Sequence, residues 1–169
     1  MKNKSNKTKL IVVGALALVL LAVAFSTNKP GTSKGSETKK ENASVEKVVD
    51  GDIVIPVNDI TETAKFFPAQ VNGIDLEVLA VKASDGTVRT AFNTCQVCYS
   101  SGRGYYVQEG DVLVCQNCGN QFSVDEIEVA KNGCNPVPIT EEYKTVSDST
   151  ITVSKDFLAE ATVIFENWK

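Results

Sequence analysis

Read for apolar and polar positions, the chain falls into three stretches. Leu10 to Phe25 is an unbroken run of sixteen apolar, small or uncharged residues. Residues 26–48 are Lys, Ser, Thr, Gly and Glu with almost nothing apolar, too little to offset chain entropy by burial. From residue 49 to 169 apolar residues recur in short β-branched bursts broken by turn signals. Ile53–Val57 predicts a short strand, placed at a sheet edge by Pro56. Asn72-Gly73 is a turn signal. Ile74 to Val81 alternates, with Ile74, Leu76, Val78 and Ala80 on one face. Ser84-Asp85-Gly86-Thr87 predicts a hairpin turn into a strand over Val88–Phe92. Tyr105–Val107 and Val112–Val114 read as strands flanking a turn at Glu109-Gly110-Asp111, and Phe122–Ala130 as a strand or short turn. Ser149–Val153 and Ala161–Phe165 both read as strands, with a helical turn over Lys155–Glu160 between them. Short strands at such intervals predict a mainly β fold, a small antiparallel barrel or sandwich.

The N-terminal run is preceded by Lys2, Lys4, Lys7 and Lys9 and no acid. As a helix, Leu10–Phe25 would span roughly 24 Å at ~1.5 Å per residue, short for a membrane span and long for a signal-peptide core. Residues 1–25 therefore read as one transmembrane anchor or as a signal cleaved near Ala24-Phe25-Ser26; a buried soluble helix is the third reading. The lysines stay inside, so either export reading places the rest outside the cytoplasm, single-pass and membrane-held or secreted. Residues 26–48 then form a flexible linker, and residues 49–169 the folded domain.

Charge and composition mostly exclude. A net charge of −4 without clustered Lys and Arg argues against nucleic acid as a partner. There is no histidine, and the only methionine is Met1. A His general base, a haem with His or Met ligation and a blue-copper site are all ruled out. The chemistry available runs through sulfur. All five cysteines lie between Thr94 and Pro138, and four form two Cys-x-x-Cys pairs, Cys95/Cys98 and Cys115/Cys118, separated by sixteen residues. That spacing fits one four-thiolate site, since each Cys-x-x-Cys loop points two sulfurs at one ion. It suits zinc or an iron–sulfur cluster alike. Two structural disulfides and a thioredoxin-like dithiol are further readings. The first leaves an odd cysteine, and the second lacks the alternating strand–helix pattern.

Cys134, in Gly133-Cys134-Asn135-Pro136-Val137-Pro138, reads as a small buried apolar residue or as a further ligand. Arg103 could offset thiolate charge or be an ordinary loop arginine. Tyr105, Tyr106 and Phe122 could shield the centre or simply pack a core. No small-molecule pocket is evident, so an electron carrier or metal-binding module fits better than an enzyme.

Two resemblances attach to these motifs. Gly86–Cys95, then Leu113-Val-Cys115-Gln-Asn-Cys118-Gly-Asn-Gln-Phe122, then Pro136-Val-Pro138, resembles the cysteine layout of Rieske domains, with Cys98 and Cys118 where the histidines belong. More closely, Ala91-Phe-Asn-Thr-Cys95-Gln-Val-Cys98-Tyr, Gly102-Arg-Gly-Tyr-Tyr106, Leu113-Val-Cys115-Gln-Asn-Cys118-Gly and Gly133-Cys134-Asn-Pro-Val-Pro138 resemble the FtrD-like family of membrane iron–sulfur proteins. That resemblance implies an iron–sulfur centre over zinc, a part for Cys134, and one-electron transfer beside a bacterial ferrous-iron uptake system. Many relatives carry several membrane spans. With at most one here, it also implies a separate partner, a membrane permease or redox protein.

Overall fold

Asn72 and Gly73 both take positive φ, 52° and 80°, the two left-handed positions of a tight hairpin turn. Around this turn and others like it the computed structural model, which describes residues 45–131 and 133–169, builds a β-rich unit within Glu41–Lys169. The apolar run Leu10–Phe25 lies outside the described residues, as does the linker up to residue 44. In chain order the strands are β1 (Val48–Val49), β2 (Ile53–Pro56), β3 (Lys65–Val71), β4 (Ile74–Lys82), β5 (Val88–Cys95), β6 (Tyr106–Glu109), β7 (Val112–Cys115), β8 (Gln121–Ser123), β9 (Pro136–Pro138), β10 (Thr145–Val146) and β11 (Thr150–Val153). Among the described residues one α-helix, α1 (Lys155–Ala161), follows, with several short 3-10 turns between the strands.

The strands divide among three sheets: β1-β3-β4-β5-β9, β10-β11-β2 and β6-β7-β8. The fold is mainly β, as expected, but the barrel form of that expectation is corrected: no sheet closes among the described residues. β2 lies at an edge, where Pro56 opposite Thr150 costs no ladder bond on the open side.

The five-stranded sheet is apolar on both faces. Leu76, Val78, Ala80 and Phe92 pack with Ile53 and Ile55 of β2, Ile151 and Val153 of β11, and the C-terminal helical segment. The alternate residues Leu79, Val81, Ala91 and Cys95 face the other way, into a cluster with Tyr106, Leu113, Cys115 and Phe122 of the three-stranded β6-β7-β8 sheet. β4 thus belongs to two cores at once, and its alternation marks which core each residue serves rather than inside and outside.

The strand expected over Ala161–Phe165 is also corrected. That segment is helical, α1 running into a 3-10 turn over Thr162–Ile164. Ser154 caps the helix, its Oγ accepting from the Phe157 N–H at 3.3 Å. Leu158, Ala161, Phe165 and Trp168 then fall on one buried face. The β-branched Thr162-Val163-Ile164 run that suggests a strand is confined to the 3-10 turn.

Candidate metal centre

Three loops converge at one end of the second core. The first, carrying Cys95 and Cys98, leaves β5 and closes through Ser101 N–H to Cys98 O (3.0 Å) and Cys95 N–H to Gly104 O (2.7 Å). Gly104 must be glycine. A Cβ there would lie 2.7 Å from the Cys98 carbonyl carbon and 2.8 Å from Tyr99 Cα, and closer still to the Cys98 oxygen. The loop is braced from the C-terminus, where Asn167 O accepts from Gly102 N–H at 2.7 Å and Asn167 Nδ2 donates to Ser100 O at 2.8 Å.

The second loop carries Cys115 and Cys118 at the end of β7. It turns through Gly119, whose N–H donates to Cys115 O at 2.8 Å and whose φ of 73° is one that side chains disfavour. The third loop, with Cys134, is held at both ends. Glu128 anchors its start: one carboxylate oxygen accepts from Thr90 N–H, Thr90 Oγ1 and Lys144 Nζ at 2.6, 2.9 and 2.6 Å. β9 anchors its end, pairing Pro136 with Cys95 across an irregularity in β5. Asn120 Nδ2 donates to Cys134 O at 2.9 Å, tying the third loop to the second.

The sulfurs of Cys95, Cys98 and Cys115 all lie within 4.8 Å of one another, and so do those of Cys98, Cys118 and Cys134. Cys98 belongs to both triads. Neither triad is a sequence pair: each draws on more than one loop, the arrangement a shared site needs and a lone dithiol does not. The odd cysteine, Cys134, is half-buried, with its sulfur near those of Cys98 and Cys118 and its side chain packed against the second core. Arg103 is exposed, and among the described residues its one hydrogen bond is from its backbone N–H to Ser101 Oγ. Of the aromatic candidates, Tyr106 and Phe122 line the cysteine cluster, while Tyr105 packs edge-on to Trp168 against the other core.

The electrostatics of the cage are those of sulfurs crowded together. Burial would push the Cys95 thiol up, but the Tyr106 hydroxyl and the backbone N–H groups of Val97 and Cys98 outweigh it and hold the thiol below its ordinary value. The Asn120 backbone N–H, with neighbouring thiols, lowers Cys118 despite some burial. The remaining thiols go up. Asn117 favours the Cys98 thiolate, but burial and its Cys118 and Cys95 neighbours overcome that and raise Cys98 to about 11. Burial raises Cys115 to about 12, and Cys118 together with burial raises Cys134 to about 11. Five thiolates this close repel one another, and a cation among them removes the conflict.

The donor set fits a thiophilic metal or an iron–sulfur cluster. It is all sulfur, three of its members are buried, and backbone N–H groups point at it. Cys118 is exposed and marks the open side. The sequence had pointed to all five cysteines but not to Asn93, Asn117, Asn120 or Glu128, polar residues that only the folded pairing brings to the cage or its supports.

No helix among the described residues is long and apolar enough to cross a membrane. A search of curated proteins finds no relative that matches the chain. The profile of a protein family does match, over residues 57–165, which takes in all five cysteines. With well over half its length matched, the chain belongs to that family, described as membrane iron-sulfur containing protein FtrD-like.

Proposed function

We propose that the protein is a membrane-anchored, extracytoplasmic electron carrier whose centre is an iron–sulfur cluster held by Cys95, Cys98, Cys115 and Cys118, with Cys134 as a fifth sulfur at its outer side. The observation that carries this reading is the double triad: five thiols from three loops, sharing Cys98, in a chain whose family is described as iron–sulfur containing. When bound, such a cluster takes up and releases one electron at a time.

The chain's own residues supply the setting. Leu79, Leu113, Phe122 and Ile127 bury the inner triad and exclude water from it. The exposed Cys118 and the neighbouring first loop, with Val97 at 60% exposure, give a partner its shortest approach. The lysine-flanked run Leu10–Phe25 supports a membrane anchor that leaves the domain outside the cytoplasm, beside a permease or redox protein of an iron-uptake system. The order of loops along the chain supports a Rieske-like arrangement with thiolates in place of imidazoles.

The test is to purify the full chain anaerobically in detergent and measure its visible spectrum with its iron, sulfide and zinc content. Broad absorption that bleaches on reduction, with iron and sulfide present, is expected. A colourless protein with stoichiometric zinc overturns the redox reading in favour of a structural zinc module, which the same cage would hold.

A further inference from the structure

Tyr106 is buried to 1% exposure, yet its hydroxyl oxygen has no hydrogen-bond partner among the described residues. A buried phenol without a partner is costly, and such an orphan calls for an explanation. Its surroundings supply one. Tyr106 lies opposite Cys115 across the β6–β7 pairing, so the two side chains share a face. The ring is buried in one cluster with Cys95, Cys98 and Cys115, and its hydroxyl, beside the Cys95 sulfur, closes no bond of full geometry. The ring has little freedom to seek another partner. Its backbone N–H donates to the buried Asn93 Oδ1 at 2.8 Å, and Asn93 Nδ2 donates to Glu77 at 2.7 Å.

We infer that the Tyr106 hydroxyl is the built-in hydrogen-bond donor to the Cys95 sulfur of the loaded centre, where it sets the centre's affinity for metal and for the electron. In this structure the hydroxyl closes no hydrogen bond of full geometry, and a thiol sulfur is at best a weak acceptor. A metal-bound thiolate carries charge and accepts strongly. One hydroxyl thus counts against the metal-free fold and in favour of the loaded one. Because reduction adds negative charge to the centre, the same bond stabilises the reduced form more than the oxidised and raises the potential. This inference rests on the metal-centre reading above.

The experiment compares the full chain in detergent with Tyr106→Phe and, as a control on the other core, Tyr105→Phe. Each is studied metal-free and after anaerobic loading with iron and sulfide. Tyr106→Phe is expected to take up the same iron and sulfide. At the wild-type midpoint its reduced-to-oxidised ratio should fall about tenfold, a downward shift of ~59 mV for one electron. Metal-free, its thermal midpoint should equal or exceed that of the wild type, while its gain on loading should be smaller. Tyr105→Phe should leave the potential unchanged. An unchanged potential in Tyr106→Phe overturns the inference while the iron–sulfur reading stands. Equal destabilisation of both forms also overturns it, since Tyr106 would then only pack. If the wild-type protein binds zinc instead, the redox reading fails, and Tyr106 is judged on metal release: Tyr106→Phe should surrender zinc to a chelator about tenfold faster. An unchanged rate there, or a wild-type protein that binds no metal, overturns the inference.

Discussion

The two faces of the central sheet make different kinds of core. On one, Phe92, Phe157, Phe165 and Trp168 form a chain of aromatic contacts with ring centroids 5.0–5.6 Å apart, and aliphatic residues of β2, β11 and α1 fill the space around them. Its one buried indole N–H is satisfied, donating to Asp75 O at 3.2 Å. On the other face Leu79, Val81, Leu113 and Ile127 surround Cys95, Cys98 and Cys115, and the buried Tyr106 hydroxyl has no partner among the described residues. The first face is complete as protein. The second crowds thiols and an unpartnered hydroxyl among its aliphatic side chains. The lesson is that a buried cluster can look apolar by composition and still be organised around an electrostatic need.

Three substitutions would break or sharpen that contrast. The largest effect belongs to Cys98→Ser, because Cys98 is the one sulfur common to both triads. It should abolish metal binding altogether, forfeiting a term that in thiolate zinc sites is about 10–16 kcal/mol. Metal analysis of the purified variant checks this, and full metal retention would mean that the triads do not share a site. Next comes Leu158→Ala on the first face. Leu158 is fully buried, so the cavity should cost about 2–5 kcal/mol. Denaturant unfolding of loaded and metal-free protein should show the same loss in both, with metal content per folded chain unchanged. A loss confined to the loaded form would show that the two cores are coupled rather than separate.

The contrast also explains what could be read in the residues beforehand. Turns were legible because they depend on local chemistry: Asn72-Gly73 and Gly110 take the positive φ their residue types favour, and Asp85 bonds the Thr87 N–H two residues on at 2.9 Å. The two Cys-x-x-Cys loops were legible for the same reason. β3 was not. Pro68 sits within it, tolerated where β1 pairs only with Ala69 and Gln70. At Ala161–Phe165 the β-branched residues favour a strand locally, yet the helix that Ser154 caps carries the chain through them as a 3-10 turn. Cys134 could be named as a candidate but not placed, because its position depends on β9 pairing with β5 some forty residues away in sequence. The unsatisfied Tyr106 hydroxyl is a property of three-dimensional surroundings alone.

The smallest expected effect tests whether that third loop is truly part of the centre. Asn120 contributes two separable things to the cage. Its backbone N–H bonds the Cys118 sulfur, and its side-chain Nδ2 donates to Cys134 O at 2.9 Å. Asn120→Ala keeps the first and removes the second, together with a longer donation from Nδ2 to Gln121 O at 3.4 Å, so it frees the Cys134 loop while the backbone of the Cys118 turn is kept. The side chain is exposed, and one such bond contributes about 1 kcal/mol. Thermal stability should therefore be nearly that of the wild type. If Cys134 helps to hold the metal, release to a chelator should quicken roughly fivefold, the factor that 1 kcal/mol represents. Release at the wild-type rate would mean that Cys134 stands beside the centre without contributing to it, and the outer triad would then be a consequence of crowding rather than of coordination.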